Sequence, residues 1–186
     1  PVLFSGKLYR ALALEIIKRK INLNNTEEIL RSITSIDSGN LSSAELYSSE
    51  VDKVSSIISA KKQVRNKLIK FQRSFPKKCG GNIKFAIIEG RDIGTIIFPK
   101  ANYKIFLWAK SEVRAKRRYD QLRKNGKNIS YSKIFREINV RDQKDMTREI
   151  APLMPAANSV LLDTSYIDIE QAFNAIKQII LKTKTV

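Results

Sequence analysis

The spacing of apolar and polar positions divides the chain into helices separated by short apolar runs. Tyr9, Leu12, Ala13 and Ile16 recur at i, i+3, i+4 and i+7, which predicts a helix from about Lys7, after the apolar segment Pro1 to Phe4. Asn24-Asn25-Thr26 offers a cap for a second helix at Glu27-Glu28. The serine-rich stretch 34–50, with Gly39-Asn40 inside it, reads as a weakly structured loop. Helical spacing follows around Ala44–Ser59 and Val64–Ser74, and Pro76 to Gly81 breaks the chain. Lys84 to Ile88, Tyr103 to Trp108 and Ser159 to Asp163 read as strands, the first and last of them buried. Between the last two, a helix from about Ser111 to Lys124 closes at Asn125-Gly126. Ser130 caps another long helix, which Pro152 and Pro155 end. Asp168 with Gln171 makes a capping-box-like start for a last helix carrying Ile169, Ala172, Phe173, Ile176 and Ile180 on one face. Strands alternating with helices predict an α/β fold whose parallel sheet is flanked by helices on both sides.

Composition narrows the chemistry. With 186 residues, 42% of them hydrophobic, the chain can bury one good core. Its formal net charge of +17 points to anionic partners, namely nucleic acid, a membrane surface or phosphorylated small molecules. Charge alone does not separate these from a lysine-rich solvated surface. Histidine is absent, which removes His-based triads, His general bases and most zinc sites. The single cysteine, Cys79, sits in a Lys-Lys-Cys-Gly-Gly turn; it excludes an internal disulfide and fits a reducing cytoplasm. With no signal peptide and no apolar run near the roughly 20 residues of a membrane span, a cytoplasmic protein is expected.

Three clusters carry candidate chemistry. Gly90-Arg91-Asp92 follows the Phe85–Ile88 run, with Gly94 just beyond. In an open α/β sheet, ligands bind beyond the carboxyl ends of the strands. A cation and an anion there suit a ligand with both a phosphate and a hydrogen-bond donor, as in a nucleotide; a salt-bridged loop is the competing reading. Arg141, Asp145 and Arg148 continue by helical spacing the apolar stripe Tyr131, Ile134, Phe135, Ile138. A core stripe that turns into Arg/Asp/Arg faces a polar cleft, or else laces a solvated helix. The third cluster is Arg114, Arg117, Arg118 and Gln121, where arginine forks would grip phosphates, or decorate a solvated face.

Together these clusters resemble the bacterial cytidylate kinases, nucleoside monophosphate kinases of the phosphate-binding-loop class. The likeness runs in family order through residues 5–10, 89–95, 104–107, 114–122, 141–148, 151–157 and 161–164, and only residues 20–53 lack it. The resemblance implies one kinase domain over 1–186. Within it, 11–75 would form a CMP-binding helical excursion, 76–113 and 149–186 the core, and 114–148 the lid and the helix after it. It implies transfer of the γ-phosphoryl of ATP, with Mg2+, to CMP or dCMP in pyrimidine nucleotide metabolism. Ser56, Arg65 and Asp92 would hold cytosine, Asp92 accepting from its N4 amino group as carboxylates do in base-edge readout. Arg10, Arg91 and Arg148 would clamp the acceptor phosphate with Ser5 nearby, and Arg141 and Asp145 would reach the sugar. Arg114, Arg117, Arg118 and Lys144 would act in catalysis, closing over ATP and the transferring group. No general base, no protein-held metal, no membrane and no specific nucleic acid is implied, and a monomer is expected.

The chain departs from the family in three respects. The Gly-x-x-x-x-Gly-Lys-Ser/Thr loop does not occur in it, Phe4 stands where the family has an aspartate, and the Arg10–Ser56 stretch is short. The expectation is a chain lacking the family's first strand, phosphate-binding loop and first helix, and inactive on its own. Competing readings are a decayed kinase retaining only the acceptor pocket, a sister kinase for UMP or another nucleotide, and a basic nucleic-acid-binding module. The last predicts aromatics interleaved with lysines, whereas here the aromatics fall mostly on apolar faces.

Overall fold

The computed structural model describes residues 1–35, 41, 43–78, 80 and 85–182. Gly39-Asn40, Cys79, Gly81 and Lys84 lie outside the described residues, and with them the expectations that fall there. The described chain divides into two compact units, Pro1–Ile93 and Gly94–Val186.

In the first unit, β1 (Val2–Phe4) runs directly into α1 (Ser5–Lys18), two residues earlier than the spacing predicts. Asn25 caps α2 (Thr26–Ser32) by accepting from the Glu28 amide at 3.2 Å. A 3-10 turn, Ala44–Tyr47, precedes α3 (Ser49–Ser59). The single helix expected from Ala44 is divided because Ser48 takes an extended conformation and turns its hydroxyl to the Val51 amide, 3.2 Å away, as a new cap. Helix α4 (Lys62–Lys78) passes through Pro76, contrary to the expected break. Only its last turn lies beyond the proline, so the missing N–H and the ring clash affect the helix end alone. Strand β2 (Ile87–Glu89) pairs in parallel with β1, Leu3 opposite Ile88. The core is built where α1, α3 and α4 bury Leu8, Leu12, Ile58, Val64 and Leu68.

In the second unit, β3 (Ile105–Trp108) and β4 (Val160–Asp163) pair in parallel, Trp108 opposite Asp163. Between them run α5 (Ser111–Lys124) and α6 (Tyr131–Thr147), packed through Ala115, Leu122 and Ile134. The Asn125-Gly126 stop is as expected, Gly126 taking a left-handed φ of +71°. Ser130 caps α6, and Asp168 and Gln171 exchange the predicted reciprocal bonds at 3.0 and 2.8 Å before α7 (Ile169–Lys182).

Parallel pairing is therefore present, with one two-stranded sheet among the described residues of each unit. The strands expected to be buried are not. Ile87 is 62% exposed and Leu161 58%, and α7 buries none of its residues although its apolar face is where the spacing places it. Each strand has one neighbour among the described residues, so its apolar side chains meet protein on too few sides to be covered. Among the described residues no helix is long and apolar enough to cross a membrane.

Candidate functional site

Beyond the end of β2, Asp92 turns inward and forms an ion pair with Arg65 of α4. Both residues are buried, at 6% and 3% exposure. Arg65 also donates through Nη1 to the Ser59 carbonyl at 3.0 Å and lies over the Tyr9 ring, 5.8 Å from its centre. The predicted cytosine-binding pair is thus assembled and desolvated. Ser56, the third member, is exposed on α3, and Arg91, next to Asp92, is exposed as well.

Ser5 is buried in the first turn of α1, and Gly90, the residue after β2, lies against it. A Cβ on Gly90 would run into Ser5 Oγ and come within 3.0 Å of the Ile93 side chain. Gly90→Ala is expected to lower stability by about 1 kcal/mol, since overpacking forces side chains off their rotamers. Urea denaturation checks this, with partial recovery expected from Ser5→Gly in the same chain.

Arg10, the predicted phosphate clamp, is engaged on three sides. Its Nη1 donates to the Leu46 carbonyl at 2.7 Å, its Nη2 pairs with Asp52, and Tyr47 lies 5.4 Å from the guanidinium.

In the second unit Asp142, at the charged end of α6, turns toward α5, where its carboxylate meets Arg114 Nη2 at 2.6 Å. Arg141 is exposed. Asp145 and Arg148 are half-buried and 3.5 Å apart, and Arg148 Nε donates to the carbonyl of Ala151 at 2.5 Å. Ala151 has a φ of +55°, so Arg148 clasps a left-handed turn that begins the Ala-Pro-Leu-Met-Pro segment. Lys144 is exposed on α6.

All four members of the α5 cluster, Arg114, Arg117, Arg118 and Gln121, line one cleft of about 640 Å³, facing Thr164, Ile167 and Asp168. Arg117 fastens the far wall. Its Nη2 donates to the Thr164 carbonyl at 2.5 Å and the Ile167 carbonyl at 3.0 Å, and its Nη1 to Thr164 Oγ1 at 3.3 Å. Arg114 Nε donates to Ala109 O at 2.8 Å, which makes this arginine a strut between the end of β3 and α6. At the rim, the Tyr166 hydroxyl bonded to Lys110 at 2.5 Å raises the ammonium above the usual lysine range. The Ser165 hydroxyl and amide hold the Asp163 carboxyl below the usual carboxylate range. Arginines among the lining together with Ile167 and Ala172 suit a ligand with both an apolar part and phosphates.

A family model described as cytidylate kinase matches residues 1–182. The chain belongs to the cytidylate kinase family. It is 38% identical to the cytidylate kinase of Methylocella silvestris over 94% of this chain and 79% of that one. Against the cytidylate kinase of Acidiphilium cryptum the figures are 38%, 98% and 84%, and against that of Agrobacterium fabrum 38%, 95% and 82%. Membership makes the chain a phosphotransferase-family protein with nucleotide substrates and an α/β nucleoside monophosphate kinase fold, in which cytidylate is the phosphorylated nucleotide. The Arg65–Asp92 pair stands inside that family match.

Sequence reasoning passes over Tyr9, Asp52, Asp142 and Thr164. Tyr9 is absorbed into the apolar stripe of α1, although its neighbour Arg10 signals a surface with two tasks. Asp142 sits within the Arg-Asp-Gln-Lys-Asp run, and a stripe ending at Ile138 continues equally well to 141 or 142.

Proposed function

We propose that this chain phosphorylates CMP and dCMP with ATP as donor, and that the Arg65–Asp92 pair selects cytosine. The desolvated pair carries the reading. Burying two charges is a poor way to gain stability, because desolvation consumes most of the attraction. A carboxylate held this way is fitted to accept from the N4 amino group, with the guanidinium donating to the acceptors beside it. Uracil presents a carbonyl where cytosine presents that donor, and would set one acceptor against another at the carboxylate.

In the first unit, Arg10 and Arg91 would neutralise the acceptor phosphate with Ser5 nearby, and Ser56 would complete the base contact. In the second, Arg141 and Asp145 would meet the sugar and Arg148 the phosphate. Arg114, Arg117, Arg118 and Lys144 would serve the donor side, the cleft under α5 taking ATP. Mg2+ would come in on the ATP phosphates, the way this ion is held with few protein carboxylates, and supply charge neutralisation there. Phosphoryl transfer needs alignment and neutralised charge and no protein general base, which suits a chain without histidine.

Calorimetric titration tests the acceptor reading directly. CMP is expected to bind at least about tenfold more tightly than UMP, and Asp92→Asn to remove that preference. Equal affinities for the two nucleotides, or an unchanged preference in Asp92→Asn, would sink the role given to the pair. Formation of CDP from CMP, ATP and MgCl2 measures turnover separately.

A further inference from the structure

We propose that Asp52 sets the affinity of the acceptor site for phosphate by occupying the face of Arg10 that the acceptor phosphate must take. This rests on the reading of Arg10 as a phosphate ligand, and adds to it a residue that works against the ligand.

The geometry separates the two ends of the guanidinium. Nη1 is fixed on the Leu46 carbonyl at 2.7 Å, and Leu46 is fully buried, so that anchor does not move easily. The Tyr47 ring covers the guanidinium from one side. Nη2 is paired with Asp52 Oδ1. The Arg10 side chain is 14% exposed, whereas Asp52 is 48% exposed and sits near the start of α3. Of the two groups the carboxylate is therefore the one with room to leave. A phosphate oxygen can replace Asp52 on Nη2 while Nη1 stays on Leu46, so the exchange leaves the 3-10 turn in place.

Two costs then fall on a bound phosphate. The ion pair with Asp52 is given up, and the released carboxylate stays on the neighbouring helix as a negative charge facing an anion. Neither cost touches the base. Asp52 consequently lowers the advantage of a nucleoside monophosphate over the bare nucleoside, and leaves recognition of cytosine to Arg65 and Asp92.

The test compares CMP with cytidine, which lacks the phosphate, in calorimetric titrations of the full chain, Asp52→Asn and Arg10→Ala. Asp52→Asn is expected to bind CMP about two- to fivefold more tightly, the range an exposed ion pair allows. Its affinity for cytidine should be unchanged. The gain should shrink as KCl rises from about 50 to about 500 mM, as screening requires, and vanish when Asp52→Asn is combined with Arg10→Ala. If Arg10→Ala weakens CMP while Asp52→Asn leaves it unchanged or weakens it too, Asp52 is a spectator or a holder of Arg10 and the proposal is wrong. A gain that persists without Arg10 would be a general field effect, and would overturn the proposal equally. If Arg10→Ala leaves CMP binding intact, or the folded wild-type chain binds no CMP, the reading of Arg10 fails first and the proposal with it.

Discussion

Asp92→Ala is expected to lower the stability of the first unit by about 3–5 kcal/mol, because it strands the Arg65 guanidinium without its counter-charge. Both partners are nearly excluded from solvent, so water cannot take over the solvation of the survivor. Hydrogen exchange is the appropriate measurement, since it reads α1 and α4 separately from the second unit, where the only tryptophan, Trp108, lies. The informative companion is the double replacement Arg65→Met with Asp92→Leu. Apolar side chains of similar volume remove both charges at once, and such exchanges are often neutral or stabilising. The double variant should therefore regain most of the lost protection. CMP binding should be absent from both variants. A pair kept only for stability would instead show parallel losses of protection and binding, with both restored together.

Arg117→Ala should have the second-largest effect, and on the other unit. Three hydrogen bonds to Thr164 and Ile167 depend on one guanidinium, and its removal frees the far wall of the α5 cleft. A loss of about 2 kcal/mol is expected, discounted from the value for charged donors because the arginine is exposed. Trp108 reports it, since the Thr164 amide bonds the Trp108 carbonyl at 2.8 Å. ATP affinity should fall as well, because the wall that Arg117 holds lines the cleft. Arg117→Lys should restore little of either, because one ammonium cannot span two carbonyls and a hydroxyl as a planar fork does. Unchanged ATP affinity in a folded Arg117→Ala chain would remove the cleft from the donor side.

Local signals are the ones the chain displays plainly. The Asn25, Ser130 and Asp168–Gln171 caps, the Gly126 stop and the helix faces are written within a few residues of where they act. The Arg65–Asp92 pairing spans 27 positions, and no spacing rule joins a helix residue to a loop residue that far away. What brings them together at the sequence level is the likeness of residues 89–95 to a known family. Strand burial is not legible in the same way, because an apolar run states what a segment could bury and not whether neighbours exist to cover it; Ile87 and Leu161 are exposed for that reason. Asp142 escapes through an ambiguity intrinsic to a 3.6-residue period, in which positions 141 and 142 both follow Ile138. Pro76 shows the limit of breaker residues. Near a helix end a proline costs little, and the hydrophobic contacts of Phe71 and Phe75 with the core favour carrying α4 through it.

The guanidinium–carboxylate pairs have one consequence for how this protein meets acid and base. Arginine keeps its proton throughout, and without histidine the chain has no side chain whose ordinary titration falls between pH 5 and 8. A phosphate monoester loses its second proton near pH 6. Across that interval the arginine surface stays fixed while the nucleotide gains a charge, so a change in affinity there reports the ionisation of the ligand and not of the protein.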